Sequence, residues 1–417
     1  MATTAPLAGV RIIEASLLGP AGITTNLADL GADVIKVESP AGDYVREMTW
    51  PIVEGTSLMH LHLNRGKRSV QLNLKSPEGA EVFRRLAAEA DCVVEAMRPG
   101  ALERLGLGYE ALRELNPKIV FITISGYGMT GPYKNLPSHG IAYDTWAGIV
   151  SPAYDDDGFC YIPEHVSIGI NAGPIYGALG ILAGIIQARA TGEGCQMEIA
   201  QSDAAAAFDW YRSESWKAYE RPEDEVTGNK SDDYARRAPG VAGMRKAIDG
   251  TVVEPVRYQM YESADGHVLF MASEQAFWKN FCEGVDRMDL FERWPGSTFA
   301  DHARGNRELQ AILRDIFTTK TSAEWIAFAD EHNTTIAPVN TPRNISDDPQ
   351  FRDRLGWIPA ERLGAEELPF PVKVVGAEYP EPTKAPTLGQ HTDEVLADVL
   401  GVDDAELATL RDAGALG

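Results

Sequence analysis

The sequence predicts an α/β protein, with a parallel sheet flanked by helices in a large domain and a smaller α+β domain beside it. Three observations carry this. Short apolar runs alternate with helix-like periods through the first half of the chain. Gly, Pro and Ser punctuate the junctions between them. Near residue 220 the composition turns polar, and a hairpin with several helices follows. A length of 417 residues suits roughly two to three domains.

The elements follow in order. "GVRIIEAS" (9–16) is a buried strand, "LLGPAG" (17–22) a loop, "ITTNLADLG" (23–31) a helix stopped by Gly31, and "ADVIKVES" (32–39) a second strand. "RSVQLNL" is a strand, and "SPEGAEVFRRLAAEA" a helix with Ser76 as N-cap and Pro77 in its first turn. "DCVVEAM" and "KIVFITISGYG" are strands around a helical "RPGALERLGLGYEALRELN". A long helix runs from Pro174 toward Ala190, and "CQMEIAQSDAAAAFDWYRSESWKAY" gives a strand and one more helix. "ERPEDEVTGNKSDDYARRAPGVAGM" (220–244) reads as a linker. "YQMYESADGHVLFMAS" is a hairpin turning at Asp265-Gly266, ahead of three small-domain helices. "EYPEPTKAP" is a proline-rich connector, and a terminal helix runs from Thr392 to a stop at Gly401. The expected boundaries are 1–225 for the first part of the large domain, 226–350 for the smaller one, and 351–417 for the return that completes the large domain.

Composition excludes some functions. The net charge of −23 disfavours nucleic acid and anionic membrane as partners, though local Lys and Arg can still hold an anionic ligand. Four cysteines at spacings that suit no zinc site point to free thiols in a reducing cytoplasm and to no metal centre. The N-terminus lacks the basic and apolar regions of a signal peptide. Ser167–Gln187 is long enough to span a membrane, but six small Gly or Pro residues and the absence of aromatic flanks make it a buried core helix.

The familiar catalytic signatures are absent: no GxGxxG after the first strand, no P-loop, no HExxH and no GxSxG. What remains is a set of glycine-bounded loops expected at strand C-termini, where open α/β sheets bind ligands. They are "LLGPAG", "NRGKRS", "AMRPGALERLG", "SGYGMTGPY" and "SHGIAYDTWAG". Arg65, Lys67 and Arg68 in one, and Arg98 and Arg104 in another, are either solvated charges or an anion site for a phosphorylated ligand.

"PLAGVRIIEAS…GP…LADLGADVIKVESPAGDYVR", "NRGKRSVQLNLKSPEG", "MRPGALERLGLGYEALRELNPKIVFITISGYGMTGPY" and "APTLGQHTDEVLADVLG" together resemble the class III CoA-transferase (CaiB/BaiF) family, which includes α-methylacyl-CoA racemases. The resemblance runs from Leu7 to about Gly401 and is weakest between Glu220 and Tyr258. It implies a Rossmann-like large domain, a small inserted domain, and two chains threaded as interlocked rings. It implies coenzyme A and acyl-CoA as substrates, with no tightly bound cofactor, and it places Leu72, Lys75, Met97 and Arg104 where the family holds CoA.

The family's transfer reaction uses an Asp that attacks the thioester, and that position falls on Gly169. Among neighbours, His139 matches the racemase branch's catalytic His and suits proton transfer near neutral pH. Asp144, five residues on, is the substitute acid, or else a helix cap. Glu164, His165 and Glu274 are further candidates. Three functions therefore stay open: a CoA-transferase moving CoA between carboxylic acids with His139 and Asp144, an acyl-CoA racemase or isomerase using His139, and a silent subunit paired with an active paralogue. The assembly expected is a homodimer or a heterodimer with such a paralogue.

Overall fold

A computed structural model describes residues 5–222, 225, 255–296, 302–373, 375 and 381–417. Most of the expected linker at 220–244, and part of the proline-rich connector, lie outside the described residues. The chain divides into two compact units, Met1–Ser213 with Leu355–Gly417, and Glu214–Arg354.

The first unit holds a six-stranded parallel sheet. Its strands are β1 (Arg11–Ala15), β2 (Asp33–Glu38), β3 (Lys67–Gln71), β4 (Cys92–Glu95), β5 (Val120–Ser125) and β6 (Gln196–Ala200). The spatial order is β6-β5-β4-β1-β2-β3. The chain moves outward from β1 through β3, then returns to lay β4 against the other side of β1 with Ala15 opposite Glu95. That reversal places the switch point of the sheet, its crevice position, beyond the carboxyl ends of β1 and β4, where doubly wound sheets bind ligands. β1, β2 and β4 are buried along almost their whole length because helices cover both faces.

The helices are α1 (Gly22–Asp29), α2 (Leu58–Asn64), α3 (Pro77–Ala88), α4 (Ala101–Arg104), α5 (Tyr109–Leu115), α6 (Gly140–Trp146), α7 (Gly169–Thr191) and α8 (Gln201–Phe208). One face of the sheet packs on α3, α5 and the C-terminal helices Thr392–Leu400 and Asp404–Asp412. Fully buried Phe83 and Leu86 of α3 anchor that layer, each contributing about 1.5–3 kcal/mol of burial. α1 and α7 cover the other face through Ile23, Leu27, Ile181 and Ile185. Ser76 caps α3 by accepting from Gly79 N–H, and Gly401, at φ +67°, ends the helix from Thr392, as the sequence predicts.

Three expected elements differ. "RPGALERLGLGYEALRELN" forms two helices, not one, because Gly106 turns the chain at φ +69°. The segment after β6 also breaks, at Asp209, between α8 and a helix from Trp210. The long helix starts at Gly169, ahead of Pro174, which lies inside it. A carboxylate from α6 starts that helix early, as described below. Among the described residues α7 is the one helix long and apolar enough to cross a membrane, and half of its apolar stretch is buried against its own unit.

The second unit carries a three-stranded antiparallel sheet, Tyr258–Glu262, His267–Met271 and Ile336–Pro338, with the predicted hairpin at Asp265-Gly266. Trp278, Phe281, Phe317 and Trp325 form its core. The helix Ser322–Glu331 begins with a capping box between Thr321 and Glu324.

Candidate active site

Three segments meet at the crevice: the glycine–proline loop after β1, the start of α6, and the first turn of α7. Positions 19, 140 and 170 mark the meeting. A Cβ placed on Gly19 would lie 2.5 Å from the Ile170 side chain, and one on Gly140 would lie 3.4 Å from it. Ile170, not residue 169, therefore faces the loops. Gly169 is buried on the opposite side, where a Cβ would come within 2.7 Å of Tyr143 Cβ and 3.1 Å of the Gln201 carbonyl. Position 169 is glycine because α6 and α8 close over it.

Asp144 is fully buried on α6. Its Oδ1 accepts from Gly169 N–H at 2.7 Å, and its Oδ2 accepts from Ile168 N–H at 3.2 Å. Both oxygens thus satisfy backbone donors that a helix start leaves unpaired, and they place negative charge at the positive end of α7. Of the two roles that the sequence leaves open, the geometry is that of the cap. His165 Nε2 is buried 3.8 Å from Asp144 Oδ2 and has no hydrogen-bond partner, while Nδ1 lies 3.0 Å from the Pro163 carbonyl. His139 is exposed at the N-cap of α6, and its side chain makes no capping bond. Glu164 is exposed beside His165. Glu274 is the N-cap residue of a helix in the second unit, without a side-chain capping bond.

The "NRGKRS" segment corrects the sequence reading most sharply: it leads into the amino end of β3, not away from a strand C-terminus, and Lys67 and Arg68 belong to the strand itself. It is neither a solvated basic patch nor an open anion site. Arg65 is buried, with Nη2 2.7 Å from Asp29 Oδ2 and Nη1 2.8 Å from Glu367 Oε2. Arg68 forks onto Asp33. Lys67 is buried with Nζ 2.8 Å from Glu14 Oε2. Lys36 lies beside it, 3.0 Å from Glu14 Oε1 and 3.2 Å from Asp43 Oδ2. Burial opposes ionisation of Glu14, but Lys36 and Lys67, with hydrogen bonds from Lys67 and Thr24, hold its pKa down at about 2. Burial lowers Lys67 to about 8 against the pull of Glu14. Glu14, Lys36 and Asp43 were not singled out by sequence reasoning. The signal for Glu14 and Lys36 was a charge within an apolar strand run, in "RIIEA" and "VIKVE", whereas Asp43 lies in the loop after β2 and carried no such signal.

Of the four residues placed at CoA, Leu72 follows β3 directly and Lys75 precedes the N-cap of α3, while Met97 follows β4 and Arg104 ends α4. Lys75 and Arg104 are exposed, and Met97 is half-buried against the core. The Leu72 side chain is wholly buried in the core, and its N–H donates to the Glu38 carbonyl, so this position offers no open side chain. Beneath Met97 lies Glu95, at the end of β4 and therefore at the crevice floor. Its Oε2 accepts from Met97 N–H at 2.7 Å. Burial pushes the Glu95 carboxyl up to about 7, against hydrogen bonds from Thr123 and Met97 that favour the ionised form. Arg98 is exposed beside this loop.

Comparisons with known proteins agree with this architecture. The profile of CoA-transferase family III matches residues 7–392. The succinyl-CoA:glutarate CoA-transferase of Homo sapiens is 30% identical over 98% of this chain and 89% of its own length. The beta subunit of succinyl-CoA–L-malate CoA-transferase from Chloroflexus aurantiacus is 31% identical over 98% of both chains. A CAIB/BAIF family protein from Brucella suis has a solved structure that superposes with a TM-score of 0.73 at 25% identity, covering 95% of this chain and all of that one. The match spans the sheet, the crevice loops and α7 alike, and the chain belongs to CoA-transferase family III.

Proposed function

We propose that this chain transfers CoA between carboxylic acids by way of acyl-CoA thioesters, and that succinyl-type dicarboxylates are its substrate class. The observation that carries the reading is the family match over residues 7–392, which takes in the switch point of the sheet. A glycine–proline loop and the α7 first turn face each other there, Met97 follows β4, Arg104 ends α4, and Lys75 lies beyond the edge strand β3. The names of the relatives at 30–31% identity support the succinyl group. In this reading the large domain expected at 1–225 and 351–417 binds CoA, and 226–350 forms the smaller domain. The enzyme works in the cytoplasm.

Asp144 then acts as a positioning residue, because both of its oxygens already hold α7. His139 stays the accessible proton carrier of the site. Residues 168–173 are Ile, Gly, Ile, Asn, Ala and Gly, so the first turn of α7 offers no acid. This favours a second reading, in which a paralogous chain in a heterodimer supplies the carboxylate. The Chloroflexus relative is itself a beta subunit. α7 also leaves Ile175, Leu179 and Ile186 exposed, an apolar face suited to a second chain.

The test is transfer by the purified protein, alone and with a co-encoded paralogue, from succinyl-CoA to a series of dicarboxylates. New thioesters formed without wash-in of deuterium at the α-carbon support transfer. Wash-in without CoA exchange overturns it in favour of racemisation at His139.

A further inference from the structure

We infer that Glu14, Lys36, Asp43 and Lys67 form a buried clamp that sets the shape of the glycine–proline loop over the crevice, and that they act as positioning residues for the transfer reaction. The clamp grips the loop at both ends and in the middle. Lys36 Nζ donates to the Ser16 carbonyl at 2.8 Å, and Lys67 Nζ donates to the Ala21 carbonyl at 2.8 Å. Between them, Asp43 Oδ2 accepts from Leu18 N–H at 3.3 Å. Glu14 joins the two lysines, and it also accepts from Ser16 Oγ at 2.7 Å and from Thr24 Oγ1.

Stability alone does not account for this arrangement. Burying four charged groups costs several kcal/mol per ion, and apolar replacements of such clusters are often neutral or stabilising. The contacts point to what the cost maintains. Leu18 sits at φ +57°, a conformation disfavoured for a branched side chain and held only where surroundings over-determine it. On its other side the loop meets α7: a Cβ on Gly19 would strike Ile170, and one on Gly22 would touch Pro174 at 3.4 Å. The loop is thus fixed between the clamp and the helix that borders the crevice.

Two consequences follow. Glu14 and Asp43 balance Lys36 and Lys67, so the clamp orients the loop rather than attracting an anion. The lysines also draw the Ser16 and Ala21 carbonyls into the protein interior. Those acceptors are thereby kept away from the crevice, where a thioester oxygen gaining negative charge would be repelled by them. Around the clamp, Asn64 Oδ1 lies 3.5 Å from Lys67 Nζ. Glu38 pairs with Arg46, and Arg46 Nη1 lies 3.1 Å from His60 Nε2. The charged groups on the neighbouring segments are therefore engaged with one another.

The charge-balanced variant Glu14→Gln/Lys67→Met tests this, because it leaves Lys36 facing Asp43 as a neutral pair. Hydrogen exchange of the Ser16–Gly22 amides and thioester kinetics are both measured. The loop amides are expected to exchange about tenfold faster or more while the sheet amides keep their protection. kcat is expected to fall about tenfold or more with KM changed less than about threefold, as misplacement of a positioning group does. Asp43→Asn, which weakens the grip on Leu18 and Lys36 while leaving an amide oxygen to accept from Val45 N–H, is the second variant should the first not fold, with the same direction expected. A folded variant with unchanged loop exchange overturns the proposal, as does faster exchange with kcat and KM unaltered. The inference takes its chemistry from the proposed transfer reaction, but the exchange measurement needs no substrate, so failure of the succinyl reading is distinguishable from failure of the clamp.

Discussion

The Asp144 carboxylate accepts a hydrogen bond from the Gly169 backbone N–H at 2.7 Å, and this contact begins α7 ahead of its internal proline. The pairing joins two positions that sequence reasoning considered separately, a candidate acid and a missing one. Asp144→Ala is expected to lower unfolding stability by about 1–2 kcal/mol, the range for a lost N-cap, and Asp144→Asn by less. Denaturant unfolding checks this. Hydroxylamine trapping during turnover is expected to leave Asp144 unmodified, and a hydroxamate at that residue would show that it leaves the cap to react.

Gly169→Asp does not place an acid in the crevice. Its Cβ would meet Tyr143, so the variant is expected to be destabilised by about 1–3 kcal/mol through overpacking. Ile170→Asp, in contrast, directs a carboxylate toward Gly19 and Gly140. Incubated with acyl-CoA, that variant is expected to yield a hydroxylamine-sensitive adduct at residue 170, and Gly169→Asp none at 169. Peptide mass spectrometry distinguishes them.

Glu95 gives a pH dependence. Its folded pKa of about 7 lies above the ordinary 4.5, so the neutral form is the one favoured by folding. Its contribution is fully present below pH 4.5 and is lost as pH rises through 7. Keeping it ionised above pH 8 costs on the order of 3 kcal/mol. Glu95→Gln is therefore expected to match the wild type near pH 4.5 and to exceed it in stability above pH 8. Unfolding curves across that range check the sign, and a constant difference at all pH values would remove Glu95 as the cause.

Much of the sheet was legible because its strands are apolar runs with local punctuation. The N-cap at Ser76, the stop at Gly401 and the turn at Asp265-Gly266 all act through their own neighbours in the chain. The early start of α7 was not legible, since its cap comes from Asp144 on another helix. Nor was the fate of Lys67, whose partner Glu14 lies 53 residues away and meets it across the sheet. A basic loop and a buried ion cluster have the same local composition, and only tertiary pairing separates them. Ile170 was missed for a related reason: which residue of a helix's first turn faces a loop depends on the helix's rotation, which its glycines do not define.

His139 supplies a contrast to the buried groups. It is exposed and makes no capping bond, so His139→Ala is expected to change stability by less than about 0.5 kcal/mol, as surface substitutions do. Any loss of turnover in that variant then reports chemistry rather than folding. Thermal unfolding measured beside the rate of thioester formation separates the two, and a large loss of stability would assign His139 a structural role instead.

The central claim is transfer of CoA between carboxylic acids, and its most direct test uses isotopically labelled succinate with unlabelled succinyl-CoA, in the presence of the protein and any paralogue it requires. The account predicts that label enters the thioester pool while total thioester stays constant. Loss of thioester to free CoA with no label incorporated would contradict it.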